Sequence, residues 1–188
     1  MARFRVAYDL TMSYEGVYSL DPADPGGETF CGISRVHWPD WDGWPIVDQV
    51  KAAGQLASIG SNQVLRTLAR GFYKANFWDA WRGDDIHSQP IANKLFDLRV
   101  NLPPRRSPEF LQEALNLANR DQAKWPDIKV DGIIGPATIA TLNRAVDGGD
   151  ETLVLNLIRL LHGEYYLGRF RASPKMEKYV GWIARALA

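Results

Sequence analysis

The chain has 188 residues, 46% of them hydrophobic, with 22 Lys/Arg balanced by 22 Asp/Glu for a net charge of zero. That length holds one domain, or a domain with a small companion, and the hydrophobic share can fill a real core. The neutral balance argues against a dedicated nucleic-acid binder, which carries a basic footprint; the single cysteine, Cys31, excludes an internal disulfide and a cysteine metal cluster. The three histidines (His37, His87, His162) are widely spaced with no paired-ligand motif, so a protein-built zinc site is not expected.

The N-terminal stretch MARFRVAYDLTMSYEG lacks the apolar core of a signal peptide. No run approaches the roughly 18 apolar residues of a membrane span. The expectation is a chain made in the cytoplasm, without an integral membrane segment. Phe4, Ala7, Tyr8, Thr11 and Tyr14 recur at helical spacing, which predicts a first helix over 3–14.

A loop follows from Gly16 to about Ser34. It contains two Asp-Pro steps (Asp21-Pro22, Asp24-Pro25) and Gly26-Gly27. Pro fixes φ and Gly supplies φ > 0, so the loop is shaped rather than slack. Thr29 to Ile33 reads as one arm of a β-hairpin. Glu15 stands where the helical pattern gives out, facing this loop. A half-buried carboxyl there would have its pKa raised toward the general-acid range. Asp24, Glu28 and Thr29 are the other chemically able groups of the stretch.

Residues 35–48 carry two Pro and a Gly and read as irregular structure or short helical turns, with a short helix from Lys51 to Ser58. Ser61 is the expected cap of a longer helix with the stripe Val64, Leu65, Leu68, Phe72, Phe77. Ser88 to Leu102, with Pro90 in its first turn, is the next helix. Pro103-Pro104 marks a boundary between a catalytic part at 1–102 and a helical part at 103–188, the two packed as one compact unit. Beyond it, Ser107-Pro108 reads as N-cap plus first helical residue of a helix through Ala118. The segment 129–136 is a turn and 137–146 a helix. Asp150 is the expected cap of a helix carrying Leu153, Leu157, Leu160, Leu161 and Tyr165. Pro174 to Leu187 is the last helix. The sum is a mainly α protein with at most one small β-hairpin near 24–34.

Seven tryptophans are many for this length, and five lie in the first half. Flat rings stack on pyranose faces, but core packing accounts for most large aromatics. From residue 159 onward six Lys/Arg face two Glu. That excess suits an anionic polymer or membrane surface, and equally a solvated helix face.

The loop motifs stand as Glu15-Gly16-Val17-Tyr18, Asp21-Pro22-Ala23-Asp24-Pro25-Gly26-Gly27-Glu28-Thr29 and Cys31-Gly32-Ile33-Ser34. They resemble the E-G-G-Y, D-P-x-D-P-G-G-x-T and Y-G-I-(S/T) pattern of glycoside hydrolase family 108, the N-acetylmuramidases of phage endolysins and secretion-associated lysozymes. Val17 and Cys31 depart from it. Tyr73 to Trp78 resembles the family's Y-x-x-x-(Y/F)-W, and Phe96-Asp97 with Asn101 its F-D-x-x-x-N. Leu111-Gln112 with Asp131 to Thr138 resembles the signature of a peptidoglycan-binding segment, and Gly181-Trp182 with Arg185 the closing G-W-x-x-R. Where the family places Gly after that Asn, this chain has Leu102 and two prolines.

The resemblance implies a lysozyme-like helical fold and a cofactor-free peptidoglycan hydrolase. Glu15 would be the general acid, and Asp24 and Thr29 its helpers on the opposite sugar face, as in the E…D…T order of phage-type lysozymes. Tyr18, Asp21 and Trp78 would bind substrate. Glu28 falls on a variable position of the pattern and reads as a loop charge. Asp97 reads as a buried capping or salt-bridging residue, toward Arg99 or Asn101. The implied partner is the glycan strand of peptidoglycan, met by a monomer after holin- or secretion-system-dependent release to the cell wall. A lytic transglycosylase, which needs only the Glu, and a non-catalytic wall-binding or secretion-assisting protein remain alternatives. Gly132, Gly135, Pro136 and the local caps also give the 131–138 turn a purely structural explanation.

Overall fold

The structure is a computed structural model describing residues 1–13, 16–20 and 26–188, apart from the side chains of residues 174 and 177. It is mainly α, as the pattern predicts, with one small antiparallel sheet. The chain divides into two compact units. The N-terminal unit is Phe4–Ala80, and the C-terminal unit combines Met1–Arg3 with Trp81–Ala188.

In the N-terminal unit, α1 (Phe4–Met12) buries Phe4, Ala7 and Thr11. The sheet is larger than a single hairpin. Strand β2 (Glu28–Phe30) pairs on one side with β1 (Tyr18–Leu20) and on the other with β3 (Ile33–Ser34). The turn from β2 to β3 holds Cys31 and Gly32 at φ 47° and 77°. Left-handed backbone at two successive residues is what a tight hairpin turn requires.

The end of the stretch read as irregular or as short helical turns starts a regular helix, α2 (Trp44–Ala52). Pro45 sits in its first turn, where a missing N–H breaks no helical bond, so the proline starts the helix instead of stopping it. A 3₁₀ segment, Leu56–Ser61, replaces the end of the predicted short helix. Helix α3 (Gln63–Tyr73) is capped by Asn62, whose side chain accepts from the N–H groups of Val64 and Leu65, and not by Ser61. Its buried row is Leu65, Ala69 and Tyr73, while Val64 is exposed. A π-turn over Lys74–Trp78 follows, and Trp78 is 2% exposed with its ring 5.7 Å from Phe4.

In the C-terminal unit, Ser88 caps α4 (Gln89–Asn101), accepting from the Ile91 N–H, with Pro90 in the first turn. Extended backbone at Leu102 ends it, and α5 (Arg106–Ala118) begins one residue before the predicted cap. Ser107 is therefore inside the first turn, buried, and donates to the Leu95 carbonyl. Helix α6 (Pro136–Asp147) follows. Helix α7 (Glu151–Ala172) packs along α5 and against α8 (Trp182–Leu187). Its buried row is Val154, Ile158, His162 and Tyr166, one step off the predicted leucine stripe, and Leu153 and Leu160 are exposed. Asp150 makes no cap bond and pairs with Lys124 and Arg120 instead. The predicted last helix is a 3₁₀ segment, Pro174–Tyr179, and then α8.

Two buried or half-buried groups of α4 hold α8. Asp97 takes Arg185 at 2.7 Å and also accepts from Asn101. Lys94, 5% exposed, donates to the carbonyls of Arg185 and Ala186, and burial pushes its ammonium down to about 8.

Candidate active site

The described part of the candidate site is the three-stranded sheet. Directly opposed residues share a face. The register places Ser19, Thr29 and Ser34 in one row, and Tyr18, Phe30 and Ile33 in a row on the other face, beside Leu20 and Glu28. Thr29 is half-buried between two serines, while Glu28 and Phe30 point into the fold. The sheet thus presents a hydroxyl row on one side, and on the other a side packed at Glu28, Phe30 and Ile33.

Glu28 is not a loop charge. It is 7% exposed and accepts from the Tyr18 hydroxyl at 2.8 Å, Lys51 at 2.8 Å and Arg35 at 2.7 Å. Arg35 is held in turn by Asp48 at 2.6 Å and lies 5.1 Å over the Trp44 ring. Burial pushes the Glu28 carboxyl up, but the bonds from Lys51, Arg35 and Tyr18 outweigh it and the net shift is downward. A carboxylate kept ionised in this way is no proton donor at neutral pH; it anchors β2. Its partners lie 7 and 23 residues on, so no local pattern could have announced them.

Tyr18, a predicted substrate ligand, commits its hydroxyl proton to Glu28. Burial, then that bond, pushes the phenol up to about 12. Trp78, the other described ligand candidate, offers no free ring face at 2% exposure; its size and its contact with Phe4 make it core. Glu15, Asp21 and Asp24 lie outside the described residues.

The motif residues that the structure brings together are supports. Tyr73 is 3% exposed and donates to the Cys31 carbonyl at 2.9 Å, joining α3 to the hairpin turn. A Cβ on Gly32 would meet the same hydroxyl at 2.8 Å, so glycine is required there by space as well as by φ. The departures from the family pattern are also accounted for. Val17 packs at Gly60, where an added Cβ would meet it at 3.2 Å. Cys31 is buried, which pushes its thiol up and leaves it an inert turn residue.

The family model for glycosyl hydrolase 108 matches residues 8–102, just over half of the chain. The chain belongs to glycosyl hydrolase family 108. The model of a predicted peptidoglycan domain matches residues 106–187. Comparison with curated proteins gave no match. Among solved structures the chain is similar to SagA of Brucella abortus, at 21% identity and a TM-score of 0.60, over 98% of this chain and 91% of that one. That likeness establishes the fold. The two family matches make the chain a peptidoglycan-acting hydrolase of family 108.

The second matched region explains its own motif. Gln112, 1% exposed, accepts from the N–H groups of Asp131 and Gly132 and donates to Asp131 Oδ1 and the Ile133 carbonyl. Asp131 also caps the Ile133 N–H, and Gly132 takes φ 73°. One buried amide therefore folds the 131–133 turn of the family 108 chain. No helix among the described residues is long and apolar enough to cross a membrane.

Proposed function

We propose that this chain is an N-acetylmuramidase that hydrolyses the β-1,4 bond between N-acetylmuramic acid and N-acetylglucosamine. The observation that carries the reading is the family 108 match over residues 8–102, which includes the whole Glu15–Ser34 motif. Glu15 protonates the leaving oxygen. Asp24 acts as base or electrostatic stabiliser, and Thr29 orients the attacking water. The hydroxyl row Ser19–Thr29–Ser34, with Thr29 half-buried at its centre, supports that role, since it gives the sheet a polar face while Glu28 locks the other. Asp21 and Tyr18 contribute to the sugar site. A carboxyl separation of roughly 6.5–9.5 Å goes with inversion and about 5 Å with retention. Residues 1–102 act as the catalytic part, residues 103–188 as the wall-binding part. The protein works as a monomer on the wall after release from the cytoplasm.

The test is muropeptide analysis after digestion of purified sacculi. Wild type should release fragments with reducing ends, and Glu15→Gln should fold and release none. Near-full lysis by Glu15→Gln would overturn the assignment. 1,6-Anhydro ends would make the enzyme a lytic transglycosylase, and binding to sacculi without release a wall-binding protein.

A further inference from the structure

Among the described tryptophans of the N-terminal unit, Trp41, Trp44 and Trp78 are buried and Trp38 alone is exposed, at 41%. It stands in the wall of an open groove of about 600 Å³ between the 37–42 segment and one side of α3. That volume falls within the roughly 300–1,000 Å³ of small-ligand sites. None of the described residues of the Glu15–Ser34 motif lines it.

Trp38 is held twice through its backbone and once at its ring. Its backbone N–H donates to the Ser34 carbonyl at 2.9 Å, its carbonyl accepts from the Trp44 indole at 2.7 Å, and its ring meets Phe72 edge-on at 4.8 Å. A fixed aromatic plate loses little freedom when a ligand lies on it.

The polar groups around the plate are mainly acceptors, with the His37 ring and the Asn76 amide beside them. Asp40 and Asp42 line the groove and have no side-chain partner among the described residues. Thr67 donates its proton to the Gln63 carbonyl, which leaves its oxygen for a ligand, and Asn76 donates one amide N–H to the Phe72 carbonyl, which leaves its oxygen and its second N–H. Such a site takes a molecule with one flat apolar face and several donors. It repels carboxylates. A pyranose carrying hydroxyls and an amide N–H satisfies both demands.

We propose that this groove is a saccharide site that takes an N-acetylated hexosamine of the glycan strand, stacked on Trp38 and held through its hydroxyls by Asp40 and Asp42. The choice of polymer rests on the muramidase reading.

The experiment uses the full chain carrying Glu15→Gln, titrated with chitotriose and followed by calorimetry and by the indole N–H resonance of Trp38. Chitotriose should move that resonance. Trp38→Ala and the double variant Asp40→Ala/Asp42→Ala, whose side chains are solvent-exposed, should each weaken binding by about tenfold or more, as for truncation of an anchoring contact. A resonance that stays still, or both variants binding within about twofold of the parent, overturns the proposal. So does a sugar-free stem peptide that moves the resonance when chitotriose does not. The readout needs no turnover. Binding at Trp38 by a chain whose wild type is inactive on sacculi defeats the muramidase reading alone; unchanged binding in an active enzyme defeats the groove alone.

Discussion

The hydroxyl of Tyr73 ends 2.9 Å from the carbonyl oxygen of Cys31, 42 residues earlier in the chain. This buried bond ties the aromatic motif of α3 to the turn of the β2–β3 hairpin, and Gly32 is the residue that leaves room for it. Tyr73→Phe strands a buried carbonyl and should lower stability by about 1–3 kcal/mol. Gly32→Ala adds left-handed strain and a clash, and should cost at least as much. Urea unfolding of both variants checks this; unchanged midpoints would mean that the hairpin does not depend on α3.

Glu28 should matter for the fold and for its acid limit, and not as a proton donor. Glu28→Gln leaves Arg35 and Lys51 without their shared carboxylate. Breaking a buried pair costs about 3–5 kcal/mol; both cations are about one-third exposed, which reduces the expected loss to about 1–3 kcal/mol. The folded carboxyl lies below its ordinary 4.5. Its contribution is therefore present above pH 4.5 and is lost as pH falls through the folded value. Wild-type stability should drop in that acid window more steeply than that of Glu28→Gln, measured by denaturant unfolding from pH 6 downward.

His162 should set a second and wider pH dependence. The ring is 1% exposed, both nitrogens are without partners among the described residues, and it packs 4.5 Å from Tyr166. Burial, with Lys94 and Arg185 adding repulsion, pushes it down from 6.5 to about 3. Between those values the unfolded chain binds a proton that the folded chain refuses. Stability then falls with pH by up to about 1.4 kcal/mol per unit. His162→Leu should remove that slope, narrowing the difference between pH 7 and pH 4.5 by about 2–3 kcal/mol in chemical denaturation.

Thr29 offers a test of the water-positioning role that leaves the sheet intact. Its neighbours across both strands are serines, and its side chain is half-buried, so Thr29→Val should fold with near-normal stability. If the hydroxyl orients the attacking water, kcat on sacculi should fall by about 10²-fold while KM changes little, and Thr29→Ser should recover most of it. A Thr29→Val enzyme with wild-type kcat would remove Thr29 from the mechanism.

What could be read from the residues depended on how local the cause was. The start of α4, with Pro90 in its first turn, was legible because such a signal acts within one helical turn. The buried row of α7 was not. Leucines at 153, 157, 160 and 161 suggest one phase, while the row inside includes His162, which a hydrophobic pattern counts as polar. Pro45 looked like a breaker because the same residue starts and stops helices, and only its position decides. In the site, the short β-favourable run after Gly26-Gly27 announced the hairpin, and Thr29 lies on a strand of it. Glu28 was missed because its value comes from Arg35 and Lys51, which reach it through the fold. Trp78 was taken for a ligand because a motif records that an aromatic is needed, and not whether its face is free.

The last turn of α8 carries an obligation unusual for so short a helix. Its carbonyls are the partners of buried Lys94, and its Arg185 neutralises Asp97. Trimming residues 185–188 would leave an ammonium and a carboxylate on α4 facing a vacated apolar slot, where Ala186 is fully buried. Shortening this helix by a few residues is therefore equivalent to a charge insertion into the core, and any fusion made after residue 188 has to leave that turn wound.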